Sequence, residues 1–308
     1  MTGSTGSSGS RLAGRVALVT GASRGLGRAI AVAFAGEGAA VAVTARTESV
    51  WDDRLPGTVH DTVAEITGSG GRAVAIAADL SNEGDVERLV EEARDRLGPI
   101  DLLVNNAALT VPGRPPPPGA AARPAPSAPA GGPARPAPGR PFRNGFLDFP
   151  LKGYRLHFEV GVFAAYRLMQ LVIPDMVAAG RGAIVNISSY ASSVPGEGPY
   201  EHPGTPTGHA YGGNKAALEH LTRAVAYEVA GLGIAVNALS PSEPVITPGN
   251  LVAAPGTVNW ASPEAFAEAT VLLALATPDT LTGSIAWSED VLHPELGRRG
   301  WLGEPLGR

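Results

Sequence analysis

Tyr211-Gly-Gly-Asn-Lys215 places a phenol and an ammonium four residues apart at the head of the helical pattern AALEHLTRAVAYEVA. Residues at that spacing share a helix face, so the cation can lie near the phenol. A phenol of ordinary pKa near 10 exchanges protons poorly at neutral pH, and a neighbouring positive charge lowers that value. Tyr211 is thus a candidate general acid or base, with Lys215 tuning it. Such a pair also occurs as a plain surface contact. The strand-like run AIVNISSYAS supplies a third group, because it ends in Ser188 and Ser189. A hydroxyl at the carboxyl end of a central strand lies where open α/β sheets bind ligands, and it can hydrogen-bond a substrate carbonyl.

A second chemical feature lies near the start. In VALVTGASRGLGRAIA a strand pattern is followed by Gly21, Gly25 and Gly27 and then by a helix pattern. Glycines there allow a tight turn and close approach of the backbone to a pyrophosphate, which rests on the amides of the helix N-terminus. The next strand, VAVTART, decides which dinucleotide fits. An NAD site wants a carboxylate at its end for the ribose 2′-hydroxyl, whereas this chain has Ala45 and then Arg46. Arg24 within the glycine loop adds a second cation, so the sequence predicts NADP(H) over NAD(H).

These groups need a scaffold, and short β-branched runs alternate with amphipathic helices to provide one. The runs are Val16 to Thr20, Ala40 to Thr44, Ala73 to Ala78, Asp101 to Asn105, Ala183 to Ser188 and Ile234 to Ala238. Such alternation predicts an α/β fold with a doubly wound, Rossmann-type parallel sheet covered on both faces. Val86, Leu89, Val90, Ala93 and Leu97 mark one helix, for which Ser81 is the expected N-cap. Neither a second domain nor an internal repeat is visible. The expected organisation is a flexible tail over 1–10 and a single dinucleotide-binding domain over 11–308, with a substrate-site loop over 190–210.

Composition limits the alternatives. The 308 residues are 44% hydrophobic and 17% charged, enough for a sizeable core, and a net charge of −5 gives no reason to expect nucleic acid as a partner. The absence of cysteine excludes disulfides, thiol nucleophiles and cysteine-held metals, and fits a reducing cytoplasm. MTGSTGSSGS lacks the features of a signal peptide, and no uncharged apolar run is long enough to span a bilayer. One segment stands apart: Val111 to Pro141 holds 12 of the 28 prolines, several arginines and no acid. That composition cannot offset the entropy of ordering it, so a disordered insertion over 111–141 is expected. A polyproline segment that docks on a partner or covers a ligand is the sharper alternative.

TGASRGLG (20 to 27), AADL (77 to 80), NNAA (105 to 108), NISS (186 to 189), YGGNK (211 to 215) and VNALSPSEPVIT (236 to 247) together resemble the classical short-chain dehydrogenase/reductase family, over nearly all of Leu12 to about Leu296. The resemblance implies that Gly21, Ser23, Arg24, Gly25, Leu26, Gly27, Arg46, Asp79, Leu80, Asn105, Ala107 and Pro241 line the cofactor. Asp79 would contact the adenine. Val245, Ile246 and Thr247 would meet the nicotinamide carboxamide. Ser189 would orient the carbonyl, Tyr211 would pass the proton, and Lys215 would hold the ribose and lower the tyrosine pKa. The implied activity is NADP(H)-dependent reduction of a small ketone or aldehyde to an alcohol, or the reverse, in a homodimer or homotetramer.

The chain departs from the family pattern in four places. The family asparagine in the helix after the fourth strand, which helps hold a water linking the lysine to solvent, is replaced by Gly161 in FEVGVF. Loss of such a relay typically costs on the order of 10²-fold or more. Ser189 and Tyr211 are 22 residues apart where the family has about a dozen, and Tyr200, His202 and His209 in the added loop are candidate substrate contacts. Ser242 replaces the usual glycine after Pro241, and the proline-rich insertion leaves from the same rim. Together they point to an unusual substrate site. They also leave open a cofactor-binding protein with impaired redox chemistry, acting as a scaffold or in a non-redox step.

Overall fold

A computed structural model of the chain describes residues 10–110, 146, 149–194, 196, 208–253 and 260–296. Nearly all of the expected tail, the whole of the proline-rich insertion, Tyr200 and His202 lie outside these residues. The chain runs β1 (Val16–Thr20), α1 (Gly25–Gly36), β2 (Ala40–Ala45), α2 (Val59–Gly68), β3 (Arg72–Ala77), α3 (Glu83–Leu97), β4 (Leu102–Asn105) and α4 (Leu151–Phe158). A π turn (Glu159–Phe163) joins α4 to α5 (Ala164–Ala179), followed by β5 (Gly182–Ile187), α6 (His209–Val229) and β6 (Ile234–Ser240). The last elements are α7 (Pro248–Ala253), α8 (Pro263–Ala274), β7 (Ile285–Trp287) and α9 (Ser288–Leu292).

The strands form one seven-stranded parallel sheet in the order β3-β2-β1-β4-β5-β6-β7. Its strands are apolar on both sides because each side is covered. Ala17 and Val19 of β1 join Ile30, Phe34 and Phe266 from α1 and α8, while Leu18 joins Leu89, Leu168, Val172 and Val236 on the other side. The order reverses direction between β1 and β4, so the carboxyl ends of these two strands open a crevice, the usual ligand site of such sheets. This is the expected doubly wound fold in a single domain.

Two details differ from expectation. The N-cap of α3 is Asn82, whose side chain accepts from the Asp85 amide, while Ser81 is bonded to the Asp79 carboxylate. β7 is only three residues long, too short to show an alternating pattern. The helix from Leu151 to Ala179 is long and apolar enough to cross a membrane by length and composition, but half of it is buried in the fold. Its apolar stripe packs Leu168, Met169, Val172 and Met176 into the core beneath the sheet.

Candidate active site

β1 delivers Thr20 and Gly21 to the crevice, where Gly21 adopts φ of +65°. The Asn106 amide donates to the carbonyls of Thr20 (2.8 Å) and Gly21 (3.2 Å), bracing the turn from β4. A Cβ on Gly21 would stand 2.9 Å from Ala107 Cα, and one on Gly27 2.4 Å from the Gly21 oxygen. Only glycine lets the first turn of α1 approach this closely. Ser23 is buried, Leu26 packs on the core, and across the crevice a Cβ on Gly25 would lie 3.3 Å from Thr247 Cβ.

Arg24 and Arg46 come together at the end of β2. The Arg24 guanidinium donates to the Gly57 carbonyl at 2.9 Å, and its Nε is buried with no hydrogen-bond partner among the described residues. Burial pushes the Arg24 pKa below its ordinary value; the Asp52 charge opposes this, and the Arg46 charge adds to it. Asp79 accepts from the Ser81 amide and hydroxyl, and Leu80 is buried. Asn105 donates to Asn186 at 2.8 Å, and its own Oδ1 is a buried acceptor without a partner among the described residues. The Ala107 amide donates to Thr20 Oγ1. Pro241 follows β6, Val245 is buried, Ile246 is exposed, and Thr247 Oγ1 accepts from the Asn250 amide at the start of α7. An orphaned guanidinium nitrogen, an orphaned amide oxygen and a turn closed to any side chain fit a dinucleotide.

Ser189, Tyr211 and Lys215 meet beyond β5. The Ser189 hydroxyl accepts from the Ala191 amide at 3.2 Å and is hydrogen-bonded to the Tyr211 phenol. Lys215 is fully buried, its Nζ donating to the Ile187 carbonyl at 2.6 Å and standing 5.7 Å from the centre of the Tyr211 ring. The tyrosine pKa is shifted upward, not downward as the lysine led one to expect. Burial pushes the phenol above its ordinary value, and the opposing influence is the Ser189 hydrogen bond. Burial also lowers Lys215 to about 8, against the attraction of Glu219.

The lysine shift has a measurable consequence. Between about pH 8 and the ordinary lysine value of 10.5 the unfolded chain binds the proton that the folded chain has released, so stability rises with pH across that interval. The urea midpoint of the cofactor-free protein should therefore increase from about pH 8 to about pH 9.5, and this rise should vanish in Lys215→Met.

Two residues not expected from the sequence, Glu219 and His157, line the same place, beside His209, which the sequence offered as a substrate contact. Glu219 lies one turn after Lys215 and accepts from the Ser188 hydroxyl at 2.5 Å, which leaves Ser189 as the serine facing the tyrosine. His157 at the end of α4 presents its ring to Tyr211, centroids 6.4 Å apart. His209 packs edge-on to Phe149 at 5.0 Å and Phe146 at 5.7 Å. Asn214 explains Gly161. A Cβ at 161 would stand 2.5 Å from Asn214 Oδ1, so the glycine is the space that the Asn214 amide fills. The Asn214 nitrogen donates to the Ala210 carbonyl at 3.0 Å, which leaves Oδ1 facing the glycine, buried and without a partner among the described residues. Position 214 lies inside YGGNK, but nothing in that string names its distant neighbour. Ser242 proves structural: it is buried, and its hydroxyl accepts from the Glu289 amide at the start of α9.

A glycine turn at the switch point of a parallel sheet, with serine, tyrosine and lysine converging beside it, defines a dinucleotide-binding oxidoreductase. Residues 15–117 match the family model described as short chain dehydrogenase, and residues 136–287 the one described as Enoyl-(Acyl carrier protein) reductase. Ketoacyl reductase HetN of Nostoc sp. is 30% identical over 84% of this chain and 75% of its own length. The 7alpha-hydroxysteroid dehydrogenase of Escherichia coli K12 is 30% identical over 75% of this chain and 71% of its own. A provisionally assigned NAD(P)-dependent gluconate 5-dehydrogenase from Beutenbergia cavernae, solved with NADP at low occupancy, has 28% identity, covers 91% of this chain and 98% of that one, and superposes with a TM-score of 0.68. The chain belongs to the short-chain dehydrogenase/reductase family.

Proposed function

We propose that this protein catalyses NADP(H)-dependent reduction of a ketone or aldehyde to an alcohol, or the reverse. The observation that carries this reading is the Ser189–Tyr211 hydrogen bond beside a lysine anchored on Ile187, at the carboxyl end of the sheet and next to the glycine turn. Tyr211, its pKa raised by burial, is a protonated phenol at neutral pH and holds a proton for the developing alcohol oxygen. Ser189 fixes that oxygen. One Lys215 proton is committed to Ile187, and an ammonium has three, so two remain for the ribose hydroxyls. When bound, the nicotinamide supplies or accepts the hydride.

Arg24 and Arg46 support NADP(H), as does the NADP held by the Beutenbergia relative. Arg24→Ala should weaken NADPH binding about 10-fold to 100-fold, the cost of a charge-assisted hydrogen bond, with NADH binding nearly unchanged. Equal losses for both cofactors in a fluorescence titration would place the 2′-phosphate elsewhere. The activity itself is tested by NADPH oxidation at neutral pH over a panel of ketones, aldehydes and diketones. Silence over a broad panel would favour the scaffold reading, which the filled space at Gly161 keeps in view. Phe163, Tyr166 and Tyr227 are large apolar groups left exposed on the helices flanking the site, which supports a homodimer or homotetramer.

A further inference from the structure

We propose that His157 selects the substrate: its Nδ1 hydrogen-bonds a second oxygen of the bound molecule, so the enzyme prefers ketones with a hydroxyl or carbonyl on the neighbouring carbon to simple ketones. This rests on the carbonyl-reductase reading of the same site.

His157 closes α4 one helical turn before Gly161, directly ahead of the π turn. Its ring lies 6.1 Å from that of Phe149 and 6.4 Å from that of Tyr211 by centroids, and meets the latter edge-on at 74°. Nδ1 is buried, and it has no hydrogen-bond partner among the described residues. A ring serving only as wall would be a phenylalanine. A buried imidazole nitrogen left unpaired costs free energy that a phenylalanine avoids, and that cost is recovered when a ligand oxygen arrives.

The electrostatics suit a neutral hydrogen-bonding group. Burial pushes the His157 pKa below its ordinary value, and the nearby charges of His209 and Lys215 act in the same direction. Among the described residues, the titratable groups that act on the ring or meet it are His209, Lys215 and Tyr211, all from α6; Phe149, which also meets it, carries no charge. A neutral imidazole offers one donor and one acceptor nitrogen, so Nδ1 can serve either a carbonyl or a hydroxyl through its tautomer. The ring's neighbour is the phenol assigned to the reacting carbonyl. An oxygen that reaches His157 while the carbonyl rests on Tyr211 therefore belongs to the same small molecule, close to the reacting carbon. Tyr154 stacks on Phe158 at 5.1 Å and continues the wall with apolar rings, which suits a hydrocarbon body.

The test compares cyclohexanone, 2-methylcyclohexanone, 2-hydroxycyclohexanone and cyclohexane-1,2-dione with NADPH. A site built to hydrogen-bond an oxygen rejects analogues lacking it, so kcat/KM should favour the two oxygenated ketones by about tenfold or more. In His157→Phe the preference, read as the ratio of kcat/KM values within the variant, should fall to about twofold. His157→Gln, which restores a polar atom, should keep part of the preference. Equal kcat/KM across the native series, or a preference that survives His157→Phe, overturns the proposal and leaves the reductase reading intact. If none of the four is reduced, the reductase reading loses support, and calorimetry on the NADP-loaded protein still decides the role of His157. Binding of the dione about tenfold tighter than 2-methylcyclohexanone, lost in His157→Phe, supports it, and equal binding refutes it.

Discussion

Tyr211→Phe is expected to lower kcat by about 10³-fold while NADPH binds with nearly native affinity. The substitution removes one oxygen and keeps the ring, so the packing beside His157 survives. What disappears is the proton for the carbonyl oxygen and the partner of the Ser189 hydroxyl. Because burial holds the phenol above its ordinary pKa, the native protein should keep its proton donor through neutral pH in the reductive direction. Stopped-flow measurement of NADPH oxidation, beside a fluorescence titration of cofactor binding, separates the two effects. Turnover within about tenfold of native would remove Tyr211 from the chemistry.

Gly161→Asn, which restores the residue usual in the family, should damage the protein rather than repair it. The added Cβ would lie 2.5 Å from Asn214 Oδ1, and Asn214 is buried with its nitrogen committed to Ala210. Overpacking of this kind costs about 1–3 kcal/mol, more than the roughly 1 kcal/mol gained by removing a glycine from a helix. The melting temperature should fall by a few degrees, about 2 °C for each kcal/mol in a chain of this size. Asn214 directly precedes Lys215, so its displacement reaches the ammonium, and kcat should drop about tenfold or more. In the double variant Gly161→Asn with Asn214→Ala the crowding atoms are gone, and most of the lost stability should return. A double-mutant cycle by thermal denaturation reads this directly, and simple additivity would show that the two sites do not share the space.

The strands of the sheet were legible because a parallel strand covered on both faces must be apolar throughout, which a sequence displays without help. The glycine turn was legible for a similarly local reason: three glycines between a strand and a helix meet a backbone requirement set within a few residues. YGGNK revealed its tyrosine and lysine through helical spacing alone, and the two arginines showed themselves by their places, Arg24 within the glycine loop and Arg46 at the end of the second strand pattern. Short-range order ended there. The N-cap of α3 moved by one residue, from Ser81 to Asn82, because Asp79 competes for the serine hydroxyl. The three residues of β7 are held by pairing with β6, a partner more than forty positions away.

The sequence by itself therefore determined the fold and the glycine turn and singled out Tyr211 and Lys215 as candidates, since each depends on periodicity or on groups one turn apart; between Ser188 and Ser189 only the family resemblance chose. Only the tertiary structure decided which forces act on them. It set burial above the lysine charge at Tyr211, gave Ser188 to Glu219, turned Ser242 inward to α9, filled the space at Gly161 with Asn214, and brought His157 to the phenol. The physical reason is common to all five: desolvation, close packing and hydrogen-bond partnership depend on distances in space between residues far apart in the chain, and no local pattern encodes those distances.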